Sequence, residues 1–198
     1  MTENGRINSD QALQALMEGN ERFVSANLIH LDQTIKRRTE ASGAQHPLAV
    51  ILSCSDSQVP PEIVFDQEPG DLFVIRIAGH VINEAVLGSA EYAVEHLGPS
   101  LIMVMGHKRC GAVAEALKTG EAAGHLQILV ESLKPAVRRG KGIPGDPLDN
   151  AVKANIEMVV HHLRTSRSIL AERVEKNKLR IVGASYDSDT GRVDIIIL

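Results

Sequence analysis

The chain has only two cysteines, Cys54 and Cys110, in 198 residues. That is too few for a disulfide framework, and two lone thiols in a reducing compartment serve more often as ligands, nucleophiles or buried apolar groups than as a bridge. Long apolar runs are also missing: the longest, Leu48 to Leu52 and Leu101 to Met105, are far too short to span a bilayer. The opening MTENGRINSD lacks the basic-then-apolar order of a secretory signal, so a cytoplasmic protein with no membrane partner is expected. No block of like charge occurs, and 21 Lys plus Arg against 25 Asp plus Glu leave a formal charge of -4, which argues against nucleic acid as a partner. Gly-rich phosphate loops of the Walker or dinucleotide kind, internal repeats and low-complexity segments are absent as well.

What is present is ordinary core-forming material, 43% hydrophobic, in a length that suits one domain. After Ser9 and Asp10, which are suitable caps, Leu13, Leu16, Met17 and Phe23 recur at helical spacing and predict an amphipathic N-terminal helix. Polar, basic sequence follows to about Gln45. HPLAVILSC, DLFVIRIAGH and PSLIMVMGHKRC then read as buried strands, and VINEAVLGSAEYAVEHLG, between the second and third, places Val86, Ala90, Ala93 and Leu97 on one helical face. Strand, helix, strand implies parallel pairing. Further helices are expected from about Ala123 to Arg139, from Asn150 through NAVKANIEMVVHHLRTS, and from Ile169 to Glu175. Between the first two, GKGIPGDP is a connection and not a domain boundary. KLRIVGASYDSDTGRVDIIIL closes the chain as a hairpin around Asp189, Thr190 and Gly191. The expected fold is α/β, a mostly parallel central sheet flanked by helices, with a C-terminal hairpin and an N-terminal helical arm (residues 1–44) preceding the 45–198 core.

In such sheets ligands bind beyond the carboxyl ends of strands, where both cysteines fall. Cys54 ends one strand; His107 and Cys110 share a Gly-His-x-x-Cys-Gly turn at the end of another, opened by Gly106 and Gly111. Taken singly, Cys54 and Cys110 read as inert buried thiols and His107 as a loop histidine bonded to backbone. Together, thiolate and imidazole select zinc, and three protein ligands with one open position are the pattern of a catalytic site, with Asp56 able to close the fourth position. A Cys-x5-Arg phosphatase loop fails, because Pro60 and Ala116 stand where the arginine would be, and no Cys-x-x-Cys occurs.

CSDSQVPPEIVFDQEPGDLFVIRIAGH, LGSAEYAVEHLG, MGHKRCGAV and IVGASYDSDTGRV, in that order, resemble the β-class carbonic anhydrases over nearly the whole chain. The resemblance implies zinc on Cys54, His107 and Cys110, and reversible hydration of carbon dioxide to bicarbonate and a proton. It also implies a homodimer or larger homo-oligomer in which the helical arm packs across the partner. Gln45 matches the amide that in the plant-like branch contacts substrate across the dimer interface; Phe73 and Tyr92 match that branch's apolar pocket, and Gly111 the backbone beside the metal. Two thiolates offset the zinc charge, so better activity at alkaline pH is expected than at a three-histidine site.

Two positions depart from the family pattern. Its loop is Cys-x-Asp-x-Arg, in which the arginine turns the aspartate away from zinc; here Gln58 takes that place, so Asp56 is expected to spend more time on the metal as a fourth ligand beside the two cysteines and the histidine, and Asp56 and Gln58 to slow catalysis or make it pH-gated. Compensation by the Gln58 amide, or by Arg76, Lys108 or Arg109, is the opposing expectation. His80 stands where the family usually has asparagine and reads as a solvent-facing histidine at a strand end. A sibling hydrolase acting on carbon disulfide or carbonyl sulfide, and a non-catalytic zinc- or bicarbonate-binding relative, are the alternative functions.

Overall fold

The computed structural model describes residues 7–29, 45–118, 122–166 and 169–198; the basic stretch 30–44 of the expected arm lies outside them. One sheet contains β1 (Ala49–Ser53), β2 (Leu72–Arg76), β3 (Leu101–His107), β4 (Arg180–Tyr186) and β5 (Val193–Ile197), in the order β2-β1-β3-β4-β5. β1 pairs in parallel with β2 and β3, β3 in parallel with β4, and only β5 runs antiparallel, as the second strand of the C-terminal hairpin. β1 and β3 are buried along their whole length, which is why they read as unbroken apolar runs rather than as alternations.

The two faces are covered by different parts of the chain. Val50, Leu52, Ile102, Val104 and Ile181 pack beneath α3 (Glu84–Tyr92), α4 (Gly111–Lys118), α5 (Leu126–Gly140), α6 (Pro147–Thr165) and α7 (Ile169–Glu175). Ile51, Met103, Met105 and Val182 pack on the other face against α1 (Ser9–Val24) and the four-residue α2 (Pro61–Val64). The connection after β1 thus runs over one face and the connection after β2 over the other. The helix after β3 also lies on that second face, so the adjacent strands β1 and β3 send their connections to opposite faces, the place where open α/β sheets bind ligands.

Several boundaries differ from the sequence reading for local reasons. The cap of α1 is Asn8, not Ser9 or Asp10: its side chain accepts from the Gln11 N–H while the Gln11 side chain accepts from the Asn8 N–H. α6 starts at Pro147, capped by Asp146, a turn before the expected Asn150. α2 was not expected, since four residues carry no period.

α1 buries Ala12 and Leu16 against the sheet of its own chain. Asn20 secures it, donating to the carbonyls of Val64 (3.1 Å) and Gly191 (2.8 Å) and accepting from the Val193 N–H (2.9 Å). At Gly19 an added Cβ would lie 1.8 Å from the Phe65 carbonyl oxygen. Gly19→Ala is therefore expected to lower stability by about 1–3 kcal/mol in urea denaturation; an unchanged midpoint would show that α1 is not seated here.

Candidate metal centre

Cys54 follows the last residue of β1 and His107 is the last of β3, so the pairing of β1 with β3 brings these strand ends together. Cys110 lies three residues further on, immediately before α4. All three side chains are buried, and their ligand atoms lie within 4.8 Å of one another. The two sulfurs are 3.9 Å apart. Zinc–sulfur bonds of about 2.3 Å at a tetrahedral angle would set them about 3.8 Å apart.

The histidine is prepared in a way the sequence does not show. Its Nδ1 is 3.0 Å from the carbonyl oxygen of Lys108. A carbonyl only accepts, so Nδ1 holds the proton and Nε2 keeps its lone pair. That Nε2 is buried with no hydrogen-bond partner among the described residues. A lone pair withdrawn from water and left unused beside two thiols fits a metal ligand and has no other evident partner here.

The thiols are tuned as a pair. Cys54 is held well below the usual thiol range, first because it accepts from Cys110, then by the N–H groups of Asp56 (3.4 Å) and Gly79 (3.3 Å), with burial opposing. Cys110 is pushed up as the donor to Cys54 and by burial, against the N–H groups at the start of α4. The pair thus gives up one proton easily and holds the other, which a divalent cation bound there would release.

Asp56 is not among the three clustered donors. Its Oδ1 accepts from the backbone N–H of Gln58 at 2.9 Å, while the Gln58 side chain lies at the surface. None of the expected compensating cations is bonded to this carboxylate. Arg76 donates to the backbone carbonyls of Cys54 (3.0 Å) and Asp56; Lys108 pairs with Asp187 (2.8 Å) and Arg109 with Asp189 (2.6 Å). The last two pairs tie the His107–Cys110 turn to the β4–β5 hairpin.

Phe73 and Tyr92 come together, ring centroids 6.3 Å apart, but away from the three donors of the same chain. Phe73 sits opposite Val50, four residues before Cys54, or about 13 Å back along the strand. Tyr92 is 53% exposed, and Gln45 is exposed in the loop before β1.

Of the glycines expected to open the turn, only Gly106 meets a steric demand: a Cβ there would lie 2.7 Å from Ile156 Cδ1 and 3.0 Å from His80 Cε1. Among the described residues, nothing stands within 4 Å of a Cβ at Gly111. His80 is a correction. It is fully buried, in the turn Ala78–His80, because α6 passes over it and Asn155 Nδ2 lies 2.8 Å from its Nε2. Gly79 and Asn155 were both missed; the available signal was a single polar residue on the otherwise apolar stripe Ala151, Val152, Ala154, Ile156 and Val159 of α6.

The fold and donor set define a class: α/β metalloenzymes with a Cys-His-Cys centre at the divergence point of a parallel sheet. A family model described as carbonic anhydrase matches residues 49–193. The chain is 42% identical over 185 residues to carbonic anhydrase 2 of Mycobacterium tuberculosis, covering 91% of this chain and 89% of that one. The chain belongs to the β-carbonic anhydrase family. It is also 40% identical over 188 residues to a carbonic anhydrase of Mycolicibacterium smegmatis, covering 93% and 91% of the two chains. Among solved structures, the Coccomyxa β-carbonic anhydrase in complex with acetazolamide superposes with a TM-score of 0.76 at 26% identity, covering 94% of this chain and 86% of that one. No helix among the described residues is long and apolar enough to cross a membrane.

Proposed function

We propose that this enzyme interconverts carbon dioxide and bicarbonate at a zinc ion held by Cys54, His107 and Cys110. The observation that carries the reading is the buried, unpartnered Nε2 of His107 beside two sulfurs 3.9 Å apart. Bound there, zinc supplies a Lewis acid that acidifies water, moderated by two thiolates so that activity rises toward alkaline pH.

The chain's own residues do the rest. Asp56 acts as a gate on the fourth position, with the Gln58 N–H drawing its carboxylate into a local turn away from the three donors. Gln45, Phe73 and Tyr92 belong to the plant-like substrate pocket; the exposure of Gln45 and Tyr92 and the distance of Phe73 from the donors of its own chain favour a homodimer or larger assembly in which they face a partner's metal. There the two rings exclude water, the Gln45 amide donates to a substrate oxygen, and the Gly111 backbone lies beside the reacting centre.

Zinc content and stopped-flow hydration of carbon dioxide across pH test this reading. One zinc per chain and a rate rising with pH are expected. Zinc with no hydration at any pH would make the protein a binding relative, and turnover of carbonyl sulfide or carbon disulfide in place of carbon dioxide would make it a sibling hydrolase. Gln58→Arg is expected to raise kcat/KM by about 5- to 30-fold, since a charge-assisted bond to Asp56 adds about 1–2 kcal/mol to the open gate. Equal rates would show that the backbone N–H already holds Asp56 open.

A further inference from the structure

Asn155 reaches the metal centre through two residues that are not ligands. Its side chain is buried on α6, where an unused amide would be costly. Its Nδ2 is 2.9 Å from the Gly79 carbonyl oxygen and 2.8 Å from His80 Nε2. Because a carbonyl only accepts, the group facing both is the NH2, and His80 Nε2 is an acceptor with its ring proton on Nδ1. Gly79 (φ 65) and His80 (φ 42) are successive left-handed residues, a conformation that persists only where its surroundings hold it. On its other side Gly79 turns its N–H to Cys54 Sγ at 3.3 Å.

We propose that Asn155 and His80 are positioning residues of the metal centre: they clamp the Ala78–His80 turn so that the Gly79 N–H is delivered to the sulfur of Cys54. The inference rests on the zinc reading above. A thiolate that accepts an N–H bond donates less charge to its metal, so this clamp partly offsets the charge-cancelling effect of two thiolates and favours acidification of water. The shape of the site requires it locally: Gly106 has no side chain, and that space admits Ile156 of α6 and the His80 ring.

Cadmium-113 substitution of the whole protein reads this contact directly by NMR. The expected result is scalar coupling from cadmium to the Cys54 and Cys110 β protons and the His107 ring, and also to the Gly79 amide proton through the N–H···S bond. In Asn155→Leu the Gly79 coupling should vanish, the thiolate-to-metal charge-transfer band of the cobalt form should move to lower energy, and zinc affinity by chelator competition should fall roughly 10- to 100-fold. His80→Phe, which keeps the Gly79 carbonyl bond but removes the second acceptor, should move the band the same way by less. Ligand couplings without a Gly79 coupling in the native protein would overturn the proposal, as would variants with native band and coupling. Absence of cadmium coupling at Cys54, His107 and Cys110 would overturn the zinc reading and this inference with it.

Discussion

Replacing Cys54 by serine is expected to lower zinc affinity by about two to three orders of magnitude and to reduce hydration of carbon dioxide to background. Zinc held by four protein ligands in a structural site is worth roughly 10–16 kcal/mol, so each ligand accounts for about 3–4 kcal/mol, or a factor of roughly 10²–10³. Serine cannot replace that share. Its oxygen stays protonated at neutral pH, is a harder donor than sulfur, and is a poor substitute for a soft thiolate. The N–H groups of Asp56 and Gly79, which now share the Cys54 sulfur, would face a smaller oxygen on a shorter bond. Bound zinc after dialysis against a graded chelator, followed by stopped-flow assay, checks the result. Retention of zinc at native affinity would remove Cys54 from the ligand set.

Acid is expected to cost the native protein up to about 3 kcal/mol through His80 alone. The ring is fully buried, and burial pulls its pKa down from 6.5 to about 4, with nearby Cys54 opposing and His107 adding to the effect. The sign follows from which state binds the proton. Above pH 6.5 the histidine is neutral both folded and unfolded, and it contributes no pH dependence. As pH falls from 6.5 toward 4 the unfolded chain takes up a proton that the folded one refuses, so stability is lost across that window and the loss levels off below it. The interval corresponds to about 3 kcal/mol. Denaturant unfolding at a series of pH values, for the native protein and for His80→Asn, isolates the contribution as the difference between the two curves. Parallel curves between pH 4 and 7 would show that the ring is not held neutral.

The parts of the fold that could be read in advance are those in which one residue's neighbours along the chain report its environment. β1 and β3 are covered on both faces, so their residues are uniformly apolar, and the hairpin is marked by Asp189, Thr190 and Gly191. Helix starts were misjudged where the cap, Asn8 or Asp146, lies outside the apolar period that signals the helix. In the site, Cys54, His107 and Cys110 were legible because thiolate and imidazole at strand ends are rare in combination. His80 was not. A histidine after a strand looks solvent-facing unless one knows that α6, some 70 residues later, lies over it.

By itself, then, the sequence determined the donor set, the α/β class and the order of the strands along the chain, because these depend on residue type and short-range periodicity. The tertiary structure alone decided three things. Lys108 O leaves the His107 Nε2 lone pair free, Gln58 holds Asp56 by its backbone rather than its side chain, and Asn155 and His80 stand behind Cys54. Each is a hydrogen bond whose donor or acceptor is either backbone or far away in sequence, and such contacts leave no trace in local pattern.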